Sequence, residues 1–264
     1  MPLQLKITGS LLLAALFIAC LRGGNNNELD ASPTAINKTI PPQTVLVELF
    51  TSQGCSSCPP ADRVLQRLVD EAEEGNMAVI ALSYHVDYWN RLGWTDPYSQ
   101  AVFSERQRQY AQVLPDHRVY TPQMVIQGQR AHVGSREKEV RATIQHISQQ
   151  APTNSLLASL NPAKNNRNSR EITYEITGET NTIVLQIALV ETALANDVPR
   201  GENSGHHLTH TNVVRALTSE INPKSQGTLT IDTSTLGTSS NGKAILFIQD
   251  AEQLTVLAAA EVAL

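Results

Sequence analysis

Two cysteines three positions apart, Cys55 and Cys58, stand in the stretch FTSQGCSSCPPAD, residues 50–62. A CxxC pair of this kind serves as a redox couple, as half of a metal site or as a small staple. The staple reading is weak, because a disulfide stabilises through the unfolded loop it closes and this loop is very short. The thiolate is both the nucleophile and the soft-metal ligand, so two chemistries stay open. One is thiol–disulfide exchange with protein or small-molecule thiols, which requires no bound cofactor. The other is a Cu(I)-type metal-binding or metallochaperone role in which both thiolates and His85 or another histidine hold the ion. A non-enzymatic binding module that keeps the dithiol for stability is a third reading, and the small entropic return of so short a loop argues against it.

The elements around the pair give it a place. Val45–Phe50 is an apolar, β-rich run ending just before the dithiol, and ADRVLQRLVDEAEE places Val64, Leu65, Leu68, Val69 and Ala72 at helical spacing. Pro59 and Pro60 are tolerated only in a first helical turn, which sets the helix start near Cys58. Residues 77–86 read as a strand buried on both faces, so strand, helix and strand form a parallel unit. The carboxyl ends of both strands then face one edge, where the dithiol meets His85, Asp87, Tyr88, Trp89 and Asn90. His85 is a candidate proton shuttle or a support for Asp87. Residues 87–121 form an insertion with its own helix, for which Asp96-Pro97 is a start signal. Eight of the 12 aromatics fall between residues 84 and 120, seven of them within this insertion. A hairpin follows over 124–133, and then a helix that Ser135 can cap.

From Ala151 onward the pattern changes to period-two alternation broken by Gly, Asn, Pro and Ser turns, which implies six or seven antiparallel strands and a small sandwich. Within it, His206, His207 and His210 lack an acidic or thiol ligand at a recognised spacing, so no metal is assigned there. An interface role for His210, Asn212 and Arg215 fits better. The expected boundaries are an export signal over 1–20, a flexible tether over 21–43, an α/β domain over 44–150 and a β-sandwich-like domain over 151–264.

The net charge of −5 leaves no basic footprint for nucleic acid. The apolar run within residues 7–19 has the length of a signal-peptide core and is too short to span a bilayer. It ends at Ala19-Cys20 and resembles a lipobox, so Cys20 is the expected lipidation site and a lipid anchor there the expected membrane contact. The expected location is exported, periplasmic or lipid-anchored. With Cys20 lipidated, Cys55 and Cys58 are the remaining thiols of the chain.

The β-α-β then β-β-α order with CxxC at the first helix start resembles the thioredoxin arrangement. That resemblance implies an α/β thioredoxin-like domain with a helical insertion, followed by an all-β sandwich-like domain. It further implies a cis Pro122 beside the dithiol, with Thr121 before it, and a proton-moving role for the acid Glu48. At closer range the chain resembles the domain-of-unknown-function 1223 family of bacterial exported proteins, through VELFTSQGCSSCPPAD, SYHVDYWNRLGWTDPYS, RVYTPQMVIQG and GENSGHHLTHTNVVR. In CxxC pairs the first cysteine is usually the nucleophile and the second resolves the mixed disulfide, which assigns Cys55 and Cys58 those roles. A helix starting at Cys58 would favour the other order through its dipole.

Overall fold

The computed structural model describes residues 43–161, 168–178, 182–237 and 242–264. The expected export signal, the expected lipidation site Cys20 and the expected tether up to residue 42 lie outside the described residues. No helix among the described residues is long and apolar enough to cross a membrane.

The first strand, β1 (Val45–Thr51), is followed by α1 (Pro59–Glu73) and β2 (Val79–His85), and β1 and β2 pair in parallel from Val45 opposite Val79 to Thr51 opposite His85. Cys58 is the N-cap of α1, and Pro59 and Pro60 take its first two positions. Their missing N–H groups would have had no intrahelical partner there. Next come α2 (Ala101–Val113), the hairpin β3 (Gln123–Ile126) and β4 (Arg130–Val133), and α3 (Glu137–Ser148). Two start signals are displaced. The N-cap of α3 is Arg136 rather than Ser135, and α2 begins at Ala101 rather than just after Asp96-Pro97. The Asp96 carboxylate is committed elsewhere, as described below.

Seven strands follow among the described residues: β5 (Ser155–Leu160), β6 (Ser169–Thr177), β7 (Ile183–Asp197), β8 (His207–Ile221), β9 (Gln226–Asp232), β10 (Gly242–Asp250) and β11 (Val256–Ala263). They do not form a separate sandwich. The main sheet has eight strands in the order β11-β10-β7-β8-β2-β1-β3-β4, and β5, β6 and β9 make a second, three-stranded sheet. This corrects the expected architecture of a thioredoxin-like domain followed by an independent β-sandwich domain. One mixed sheet runs through the expected boundary near residue 150, because β8 pairs in parallel with β2 at Val213 opposite Ser83.

Successive side chains of a strand face opposite sides, and three clusters follow from that rule. Leu46, Phe50, Leu82, Tyr84, Val190, Val214, Ile245 and Phe247 form one continuous apolar face, on which Phe103 and Tyr110 of α2 pack. On the other face, Val45, Val47, Leu49, Val79 and Ala81 lie under α1 and α3. Leu185, Ile187, Leu246 and Ile248 pack against Ile172, Tyr174 and Ile176 of the small sheet. The insertion is therefore a layer of the common core, since its aromatics Phe103 and Tyr110 are fully buried against residues of β1, β2 and β10.

Candidate active site around the dithiol

The chain leaves β1 at Thr51 and makes a tight turn in which the Cys55 amide donates to the Ser52 carbonyl and the Cys58 amide to the Cys55 carbonyl. Cys55 and Cys58 are joined as a disulfide. Both are fully buried, whereas Ser56 and Ser57 between them are exposed. Gly54 has a packing reason: a Cβ there would stand 3.0 Å from the Trp89 Cβ, so only glycine lets Trp89 lie against the turn at this distance.

A directed chain of hydrogen bonds reaches the Cys55 sulfur. The Trp89 indole can only donate, and its Nε1 donates to Thr121 Oγ1 at 2.8 Å. The Thr121 hydroxyl proton is thus free to be donated onward, and Thr121 Oγ1 lies 3.3 Å from Cys55 Sγ. Ser57 Oγ stands 3.3 Å from the same sulfur. The peptide bond between Thr121 and Pro122 is cis, and the Pro122 carbonyl accepts the Gly134 amide at the head of the hairpin.

A strap between β7 and β8 closes over the turn. Asn203 Nδ2 donates to the carbonyls of Gln53 and Cys55, both at 2.9 Å. Glu202 accepts from the Ser56 amide at 2.9 Å and from its hydroxyl at 2.7 Å. These Ser56 bonds, the amide first, hold the Glu202 carboxyl below its ordinary value.

Behind the turn lies a buried ionisable cluster. His85 Nδ1 donates to Asp96 Oδ2 at 2.7 Å, with both side chains fully buried. Burial pulls the His85 imidazolium down, but adjacent Asp96 outweighs it and the His85 pKa is raised. Burial pushes Asp96 up; His85 and the amides of Gln53 and Tyr98 more than offset this, and its pKa is lowered. The ring of His210 stands edge-on to that of His85, with centroids 4.5 Å apart.

The expected site residues separate into two groups. Cys55, Cys58, Thr121 and Trp89 meet at the dithiol, Pro122 follows Thr121 through the cis bond, and His85 lies in the cluster behind. Asp87 and Asn90 instead hold the connection to α2: Asp87 accepts from Ser104, and Asn90 bridges Ser99 and the Asp96 amide. Tyr88 joins the two groups, its hydroxyl donating to Gln107 of α2 and also hydrogen-bonded with Thr121. Glu48 is an even-numbered β1 residue on the Leu46 and Phe50 face, opposite the face that carries α1. It forms a buried ion pair with Arg106 at 2.7 Å and accepts a hydrogen bond from Tyr110. Its carboxylate is occupied on that face. His210, Asn212 and Arg215 do join β8 to the first half of the chain, through Gln53, the Ala81 carbonyl and Gln100 respectively. Among the described residues, no three His, Cys, Asp or Glu side chains gather in a metal-holding arrangement.

Sequence reasoning missed Asp62, Asp96, Gln53, Glu202 and Asn203. Asp62 carried a usable signal, its position four residues after Cys58 on one helix face. Asp96 carried none, because its partner lies 11 residues away across an irregular loop.

A mixed eight-stranded sheet with helices on both faces, presenting a buried disulfide at the start of its first helix, defines the class of protein. The family of proteins of unknown function DUF1223 matches over residues 46–249, and the chain belongs to that family. Among solved structures, the chain is similar to an Agrobacterium tumefaciens protein determined by structural genomics, at 26% identity and a TM-score of 0.63, covering 83% of this chain and 94% of that one. It is also similar in fold to HBP35 of Porphyromonas gingivalis, at 13% identity and a TM-score of 0.57, covering 83% of this chain and 74% of that one. No curated protein matches the chain.

Proposed function

We propose that the protein is an exported thiol–disulfide oxidoreductase that exchanges electrons with protein or small-molecule thiols through Cys55 and Cys58. The observation that carries this reading is the Trp89–Thr121–Cys55 chain, which aims a hydroxyl donor at one sulfur of a helix-start disulfide. A structural staple has no use for such a donor, whereas a thiolate nucleophile is stabilised by it.

Cys55 takes the nucleophile's role, because Thr121 and Ser57 address its sulfur. The Cys55 thiolate attacks a partner disulfide, forming the mixed disulfide and releasing one partner sulfur. Cys58 then attacks Cys55, closing the internal disulfide and releasing the second partner sulfur, and the reverse sequence reduces the protein. Trapping tests the assignment. Cys58→Ser should accumulate a mixed disulfide with a model disulfide substrate and Cys55→Ser should not. Trapping by neither variant sinks the reading, and trapping by Cys55→Ser alone reverses the two roles.

A further inference from the structure

Buried polar side chains in folded proteins almost always find partners. Here most of the unpartnered ones among the described residues gather in one place. Thr51 Oγ1, Ser83 Oγ, His85 Nε2, His210 Nδ1 and Asp62 Oδ1 are all buried without a protein hydrogen-bond partner. Thr51, Ser83 and His85 share the strand parity of Leu49, Val79 and Ala81, so they face α1. Asp62 lies on α1 four residues after Cys58, its amide bonded to the Cys58 carbonyl, and that spacing puts the two side chains on one face of the helix.

The protonation of His210 can be read from its surroundings. Gln53 Oε1 accepts from the Trp94 indole at 3.0 Å and from Asn196 Nδ2 at 3.1 Å, so Gln53 Nε2 is the atom facing His210 Nε2 at 3.2 Å. His210 Nε2 therefore accepts, and the ring's proton sits on Nδ1, 3.8 Å from Asp62 Oδ2. That tautomer leaves Nδ1 no lone pair for a metal ion and turns an N–H toward Asp62.

We infer that Asp62 is the proton acceptor of Cys58 and that His210 and His85 are positioning residues that hold its carboxylate ready. This rests on the exchange reading above and concerns its second step. In that step the Cys58 S–H proton passes to Asp62, the Cys58 sulfur bonds to Cys55, the bond from Cys55 to the partner sulfur breaks, and its electron pair leaves on the partner sulfur. The charged and titratable groups around Asp62 include His85 of β2, His210 of β8, Asp96 behind His85, Arg215 of β8, which acts on His85, and Tyr98, whose ring packs edge-on against both histidines.

The test uses the reduced protein and 5,5′-dithiobis(2-nitrobenzoate), which releases one chromophore when Cys55 attacks and a second when Cys58 closes the ring. Asp62→Asn should slow the second release by about a hundredfold or more, the range of general-base contributions, and leave the first unchanged. Asp62→Glu should restore much of the lost rate. Asp62→Ala is a second readout should Asp62→Asn fail to fold, with the same slowing of the second release expected. A second release unchanged by Asp62→Asn or by Asp62→Ala overturns the inference and leaves the exchange reading intact. A first release no faster than from the unfolded chain overturns the exchange reading and this inference with it.

Discussion

Glu202 and Ser56 lie 146 residues apart in the chain, yet the Glu202 carboxylate accepts both the amide and the hydroxyl of Ser56 inside the CxxC turn. With Asn203 bonded to the Cys55 carbonyl, this contact ties the strap between β7 and β8 across a disulfide that solvent does not reach. On the exchange reading, loosening this contact eases a partner thiol's access to the buried Cys55. Glu202→Gln should raise the rate of reduction by a small thiol severalfold without moving the thermal midpoint appreciably, as stopped-flow reduction and calorimetry would show. An unchanged rate would mean that access does not depend on this contact.

Thr121→Val keeps the shape of the side chain and removes the donor to Cys55. A hydrogen bond to a charged group favours the charged form, so the Cys55 thiol should ionise at higher pH in the variant. The ultraviolet absorbance of the thiolate as a function of pH measures this directly.

Glu48 holds Arg106 in a buried pair, with the guanidinium over the rings of Tyr84, Tyr110 and Phe247. Glu48→Leu leaves that guanidinium buried without its counter-charge, which should cost about 3–5 kcal/mol of stability. Urea unfolding checks the loss. Exchange by the folded fraction should remain at the native rate, because the carboxylate lies on the sheet face opposite α1.

The raised pKa of His85 has a defined sign. A group that binds its proton more tightly when folded stabilises the fold fully below its unfolded value of 6.5, and loses that contribution as pH rises through the folded value. Asp96, with a lowered pKa, acts in the opposite direction: its contribution is present above 3.8 and fades as pH falls through the folded value. The stability difference between the native protein and His85→Gln should therefore be largest in mildly acidic solution and shrink toward alkaline pH. Denaturant melts at graded pH measure it, and a difference that grows with pH would contradict the pairing.

The local elements around the dithiol were legible because each has a short-range cause. The two prolines fix the start of α1, the period of Val64, Leu65, Leu68 and Val69 fixes its buried face, and β2 lies within a nearly continuous apolar run over residues 77–86. Several of the later strands were legible for the same reason, through alternation as along Ile172, Tyr174 and Ile176, whereas β5 and the long β8 carried no such clear signal. Which strand they join was not. Alternation says which side chains share a face and nothing about the neighbouring strand, so the pairing of β8 with β2, and with it the single sheet, lay beyond reach. The same limit applied to the site. Thr121 and Trp89 could be placed near Cys55 from motif blocks, whereas Glu202, Asn203 and Asp96 reach the turn only through the tertiary fold.

On the exchange reading, Cys55 and Cys58 form a reversible dithiol–disulfide couple. The direct measurement equilibrates the folded chain with glutathione buffers of graded ratio and quantifies the oxidised fraction by thiol alkylation after acid quenching. A single two-electron transition within the range of the buffers is expected, reached equally from the reduced and oxidised starting states and abolished by Cys55→Ser. A pair that stays in its starting state at every ratio would contradict it.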